Sequence, residues 1–204
     1  MPALYLNLRE MVCGIGNQLR YVDRFSTCRR GHKENVAEHQ FFTAFFALLI
    51  CKHLEPGMKE MNVGLAVIKG LIHDVEEHYT GDVIRPVKHG SVAMESEMDK
   101  AGADFACKFF QSLTRRRDVA SQLFTFWRHA KDSTPEGRVV RFADYLSVLA
   151  YLHQEVRSGN KLVMDNVHQL EEYSSHFDVS EYEFIRSLVV QAKKLVKDLR
   201  RGKV

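Results

Sequence analysis

Three stretches of this chain carry side chains whose types and spacing suit metal chemistry. In Leu71-Ile72-His73-Asp74-Val75-Glu76-Glu77, an adjacent His-Asp pair ends an apolar run and offers a nitrogen and an oxygen ligand side by side. Glu77 follows His73 by four residues and Asp74 by three, the spacing that shares one face of a helix. One turn then presents an imidazole and two carboxylates to a single pocket. His39 stands at the start of the most apolar helical pattern, in Val36-Ala37-Glu38-His39-Gln40-Phe41-Phe42. Asp144 shares a helical face with Val140, Val148 and Tyr151. A carboxylate on such a face requires a cation, a charged partner or a raised pKa, and a divalent metal is one answer. Taken alone, a His-Asp pair is more often structural than metal-binding; the two further stretches strengthen the metal reading.

The elements that must position these residues read as helices. Only 4 Pro and 12 Gly interrupt 204 residues, and the segments between them repeat apolar residues with a helical period. The expected helices run over 4–19, 36–54, 61–78, 91–113, 118–130, 134–157, 165–177 and 180–200. Thr134 is placed to cap the sixth, with Pro135 at its first position. The expected architecture is all-α, a single domain over 1–204 with its core at 20–155 and C-terminal helices at 160–200.

Composition removes several function classes. Apolar residues at 45% and charged residues at 27% exclude disordered and collagen-like chains. The net charge of +3 comes from the tail, where six basic residues between Lys193 and Lys203 face only Asp198, so the rest of the chain is slightly acidic. That pattern makes a nucleic-acid partner unlikely to be the main one. Cys13, Cys28, Cys51 and Cys107 form no C-x-x-C pair and read as reduced thiols. The apolar run 41–51 is about half the ~20 residues a membrane span needs. With no secretory signal visible, a cytoplasmic protein is expected.

Six segments occur in a recognisable order over roughly residues 20–155: Arg24-Phe25-Ser26, Glu34-Asn35-Val36-Ala37-Glu38-His39, His73-Asp74-Val75-Glu76-Glu77, Thr80-Gly81-Asp82, Pro86-Val87-Lys88 and Ala143-Asp144. They resemble the HD-domain metal-dependent phosphohydrolases, and more narrowly the bacterial 5′-deoxynucleotidases and the related phage deoxynucleoside triphosphate phosphohydrolases. The resemblance implies a helical domain with one divalent ion on His39, His73, Asp74 and Asp144. Such a donor set suits Mn²⁺, Co²⁺, Fe²⁺, Ni²⁺ or Zn²⁺ better than Ca²⁺ or Mg²⁺.

The same resemblance assigns proton management to Glu77 and leaves Glu76 on a solvated helix face. Arg24 and Lys88 are expected on the substrate phosphate, and Asp82 near a 3′-hydroxyl. Phe25 replaces a tryptophan common in the deoxynucleotidase branch, a smaller ring that can still pack against C2′ of a deoxyribose. Ile84 and Pro86 are candidates for an apolar wall beside the base. The expected substrate is a deoxynucleoside monophosphate, with a triphosphate substrate or a non-catalytic nucleotide sensor as alternatives. Relatives of this kind assemble, so a homo-oligomer is expected, and the stripe Phe41, Phe42, Phe45, Phe46 and Leu49 is either helix core or subunit interface.

Overall fold

The computed structural model describes residues 6–203 except 55, 56, 59, 84 and 89. Its helices are α1 (Leu8–Val12), α2 (Val36–Leu54), α3 (Val63–Ile72), α4 (Glu77–Thr80), α5 (Arg85–Lys88), α6 (Val92–Leu113), α7 (Arg117–Arg128), α8 (Pro135–Arg157), α9 (Met164–Tyr173) and α10 (Arg186–Arg200). Extended pairing among the described residues is limited to two isolated bridges, Leu6 with Thr114 and Asp23 with Asn35. The architecture is all-α.

Helix α2 starts at a reciprocal cap in which Asn35 Oδ1 accepts from the Glu38 N–H and Glu38 Oε2 accepts from the Asn35 N–H. Thr134 caps α8 by accepting from the Gly137 N–H, with Pro135 in the first turn as its sequence predicts. Helices α2, α3 and α8 pack side by side. Gly70 permits this closeness, because a Cβ there would stand 2.8 Å from the Ala44 Cα. One apolar cluster joins α2 and α8 to the C-terminal helices through Ala47, Ile50, Phe142, Leu152, Phe177 and Ile185. A second holds α6 and α7 through Phe109, Phe110 and Trp127 against Val36 and Val75.

Four expected helices are broken, each for a local reason. The 61–78 segment stops at Ile72 and resumes at Glu77 because the site itself takes the helix's hydrogen bonds. The Gly70 carbonyl, which a continuous helix would pair with the Asp74 N–H, instead accepts from His73 Nδ1 at 2.9 Å. The Gln40 amide, oriented to satisfy both its groups, donates to the Leu71 carbonyl and accepts from the Asp74 N–H, each at 3.3 Å. The Val75 N–H then falls back on the Ile72 carbonyl at 3.3 Å, a tighter three-residue turn.

In the 4–19 segment, α1 gives way at Gly14 to a 3-10 turn over Ile15–Tyr21, with Glu10 Oε2 accepting from the Ile15 N–H. After Tyr173, the Ser174 and Ser175 hydroxyls donate to the carbonyls of Glu171 and Glu172, and the chain tightens into a 3-10 turn. Ser180–Ile185 is likewise 3-10 before α10.

Candidate active site

Three helices and one turn deliver the predicted metal ligands to one point. His39 comes from the first turns of α2, His73 from the end of α3, Asp74 from the turn that follows, and Asp144 from the middle of α8. His39 is fully buried and His73 nearly so. His39 Nε2 lies 3.3 Å from His73 Nε2, 3.1 Å from Asp144 Oδ1 and 3.6 Å from Asp74 Oδ2, and His73 Nε2 lies 2.9 Å from the same Asp74 oxygen. Donors bonded at about 2.1 Å to one ion stand roughly 3–3.4 Å apart, so these separations are those of a coordination shell.

The other ring nitrogens support that assignment. His73 Nδ1 faces the Gly70 carbonyl, which can only accept, so this nitrogen carries the proton and Nε2 a lone pair. His39 Nδ1 lies 3.0 Å from Ser147 Oγ, and the tautomer that donates to this oxygen presents an Nε2 lone pair to the other ligands. Burial, helped by the Arg24 charge, pulls the His39 imidazole down to about 4, so a second proton does not relieve the crowding near neutral pH. Two lone pairs and two carboxylates around one point fit a cation.

Burial alone would raise Asp74 and Asp144, but both are held below the usual carboxylate range. The Lys131 ammonium, which stands beside both carboxylates, opposes burial at each. Lys131 had no place in the sequence reasoning. It sits in the turn between α7 and α8, 2.6 Å from Asp144 Oδ2, and is the charged partner that the buried face of α8 demanded. A lone lysine in a polar turn carries no sequence signal; only the approach of that turn to α8 reveals it.

Asp74 and Asp144 line a cleft of about 210 Å³, with His39 and His73 buried behind them. Arg24, Glu77, Asp82, Lys88 and Lys131 line the cleft with Asp74 and Asp144, and Val148, Leu152, Asn166, Gln169, Leu170 and Tyr173 complete its wall. Glu77 is buried, and its Oε2 has no hydrogen-bond partner among the described residues. Burial and the neighbouring Asp74 and Asp82 charges hold its carboxyl well above the ordinary range. Arg24 donates through Nη1 to Glu34 at 2.8 Å, while its buried Nε is unpartnered. Burial pushes the Glu34 carboxyl up to about 7, with Arg24 pulling it back only in part.

Asp82 Oδ2 accepts from the Phe25 N–H at 2.9 Å and pins that residue at a φ of 52°, a left-handed conformation costly for a phenylalanine. The Phe25 ring stacks on Tyr151 with centroids 4.7 Å apart. Strain of this kind is held where the surroundings overdetermine it, and here they fix an aromatic ring in the cleft wall.

Two expectations need correction. Glu76 is not on a solvated face: it is buried, and its Oε2 accepts from Trp127 Nε1 at 2.7 Å, because the break after Ile72 rotates it toward α7. Nor is the phenylalanine stripe helix core. Phe46 is half-buried, but Phe41, Phe42, Phe45 and Leu49 are exposed on the outer face of α2. Ile84 and the side chain of Pro86 lie outside the described residues.

An all-helical scaffold that gathers two histidines and two aspartates beside an acid-lined cleft defines an HD-domain phosphohydrolase. An HD-domain phosphohydrolase from Listeria innocua superposes with a TM-score of 0.73 at 18% identity, over 96% of this chain and 95% of that one. A cyanophage S-2L HD phosphohydrolase, solved with dA and one catalytic Zn²⁺, superposes with a TM-score of 0.57 at 19% identity, over 89% and 94%. The family model described as 5′-deoxynucleotidase YfbR-like matches residues 13–192. A 5′-deoxynucleotidase of Vibrio parahaemolyticus is 30% identical over 149 residues, 70% of this chain and 73% of the relative. The chain belongs to the YfbR-like 5′-deoxynucleotidase family and is a hydrolase of the HD type.

Proposed function

We propose that this enzyme hydrolyses deoxynucleoside 5′-monophosphates to the deoxynucleoside and phosphate. The observation that carries the reading is the pairing, at one end of a cleft, of a four-donor cation site with two buried polar atoms that lack partners, Glu77 Oε2 and Arg24 Nε. Buried polar groups are almost always satisfied, and orphans that face one cleft await a ligand.

His39, His73, Asp74 and Asp144 would hold a divalent transition metal, which when bound supplies a Lewis acid and a water of lowered pKa. Arg24 and Lys88 bind the phosphate, with Arg24 offering its free Nε–H to an oxygen. Glu77, whose carboxyl burial and the Asp74 and Asp82 charges hold well above the ordinary range, gives its proton to the departing 5′ oxygen and then accepts one from water. Phe25 packs against C2′ and leaves no room for a hydroxyl, while Asp82 takes the 3′-hydroxyl on the oxygen not used by the Phe25 N–H. The base lies toward Leu170 and Tyr173, with Ile84 and Pro86 as further wall candidates.

A monophosphate is favoured over a triphosphate by the supply of charge. Arg24 is paired with Glu34, and in the basic stretch beside it Arg30 pairs with Asp23 and Lys33 stands 3.8 Å from the same carboxylate. Phosphate release from dNMPs and dNTPs after metal loading, with chromatography of the products, tests the reading. Phosphate from dNMPs is the expected result; tripolyphosphate from a dNTP beside inert dNMPs overturns it, and an intact bound nucleotide identifies a sensor.

The outer face of α2 supports a homo-oligomer. Phe41, Phe42, Phe45 and Leu49 are 57%, 43%, 41% and 52% exposed, and Ile68 and Leu71 of neighbouring α3 are also exposed. Exposed apolar side chains gathered on one helix face, unlike singly scattered ones, mark an interaction surface. Phe45→Glu is expected to yield a monomer by light scattering, and an unchanged mass overturns the assignment. The free thiols fit a reducing cytoplasm, and no helix among the described residues is long and apolar enough to cross a membrane.

A further inference from the structure

Lys131 belongs to none of the motifs that mark the site, yet its ammonium stands among the ligands. Nζ is 2.6 Å from Asp144 Oδ2 and 3.9 Å from Asp74 Oδ1, and the side chain keeps 32% of its surface exposed on the cleft side. Arg141, one turn before Asp144 on α8, donates to the Lys131 carbonyl and fixes the backbone of the turn over the site. An ammonium carries three N–H donors on a flexible four-carbon stem. Two carboxylates occupy part of that capacity, and the rest faces the cleft, where Lys88 is the neighbouring cation.

We propose that Lys131 is a shared cation of the site: it neutralises Asp144 and Asp74 in competition with the divalent metal, and, once the metal takes those carboxylates, binds the phosphate group in the cleft. A counter-ion serving the fold alone would be enclosed, as Lys69 is with Asp132 at 3.1 Å and 4% side-chain exposure. Lys131 instead borders the space that a phosphate must enter. Its proximity to the ligands also sets a sign: a positive charge this close to a divalent ion opposes that ion, by about tenfold or more in affinity even with strong solvent screening.

The phosphate half of this proposal rests on the phosphohydrolase reading, so the test avoids turnover. Mn²⁺ affinity is measured on chelator-stripped wild type, Lys131→Met and Lys131→Arg by competition with a chromophoric chelator. Inorganic phosphate affinity is then measured calorimetrically on the Mn²⁺-loaded proteins. Lys131→Met is expected to bind Mn²⁺ about tenfold or more tightly and phosphate about tenfold or more weakly, with Lys131→Arg within about threefold of wild type on both. Unchanged or weaker Mn²⁺ binding in Lys131→Met, or unchanged phosphate binding, overturns the proposal. If Lys131→Met does not fold, Lys131→Gln carries the same two readings; if neither folds, Lys131 is a structural counter-ion and the proposal fails. A wild type that hydrolyses no deoxynucleotide refutes the substrate assignment and leaves the Mn²⁺ shift readable.

Discussion

Helix α8 carries two carboxylates eleven residues apart, the half-buried Asp144 and the fully buried Glu155, and surrounds them in opposite ways. Glu155 is fully enclosed and accepts from the Gly31 N–H at 2.7 Å, the His32 N–H at 2.6 Å and Asn160 Nδ2 at 2.5 Å, with His32 Nδ1 at 3.2 Å. Burial would raise it, but the Asn160, Gly31 and His32 contacts hold it low. Two of its donors are backbone N–H groups and a third is a side-chain amide, so nothing further is needed there. Asp144 faces a lysine on a flexible stem at 2.6 Å and an imidazole nitrogen, His39 Nε2 at 3.1 Å, that is shared with Asp74 and His73. The first environment closes the loop that carries Arg24 and Phe25; the second is incomplete until a cation arrives. A buried carboxylate is therefore no functional signal by itself, and what distinguishes the two is whether its partners are fixed.

The largest effects should come from the incomplete environment. Asp144→Ala or His73→Ala is expected to lose the metal and reduce hydrolysis to background, as read by metal content after reloading and by phosphate release; a variant that retains one ion per chain would break the comparison. Glu77→Gln should keep the metal and slow kcat by about 10²–10⁴-fold, the usual loss of acid–base help. Wild-type turnover in that variant removes Glu77 from proton transfer.

Glu155→Ala should give the opposite signature. Its orphaned N–H donors cost about 2–3 kcal/mol of stability in denaturant unfolding, with Mn²⁺ affinity unchanged in the folded protein. A fall in metal affinity with stability intact would erase the contrast.

Glu34 is the intermediate case, buried like Glu155 but paired with a charge. Because its folded pKa is raised from 4.5 to about 7, the folded chain keeps a proton that the unfolded chain has released. Its contribution to stability is present below about pH 4.5 and is lost as the pH rises toward 7. The Tm of wild type relative to Glu34→Gln should fall across that window, and a flat difference would show that Arg24 holds Glu34 ionised throughout.

Much of the scaffold was legible because helices declare themselves locally. Apolar periodicity located α2, α6, α7 and α8, and Thr134-Pro135 marked the start of α8. The break after Ile72 was not legible, because one of the competing hydrogen-bond partners comes from afar. Gln40 is more than thirty residues from the Leu71 and Asp74 groups it takes, and nothing in the pattern around His73 announces it. Glu76 was misplaced for the same reason, since helical phase carries no meaning past the break.

What the sequence determined by itself was the inventory of donors: two histidines and two aspartates in a given order, on apolar segments that must pack together. Residue type sets which atoms can bind a cation, and periodicity sets which faces turn inward. The tertiary structure alone decided which nitrogen of each histidine turns toward the other ligands, that one Asp82 oxygen is taken by the Phe25 backbone, that Glu77 Oε2 has no partner among the described residues, and that Lys131 stands among the ligands. Each depends on the approach of segments far apart in the chain to within a hydrogen-bond length, and that distance is set by packing at positions such as Gly70 against Ala44 rather than by any local motif.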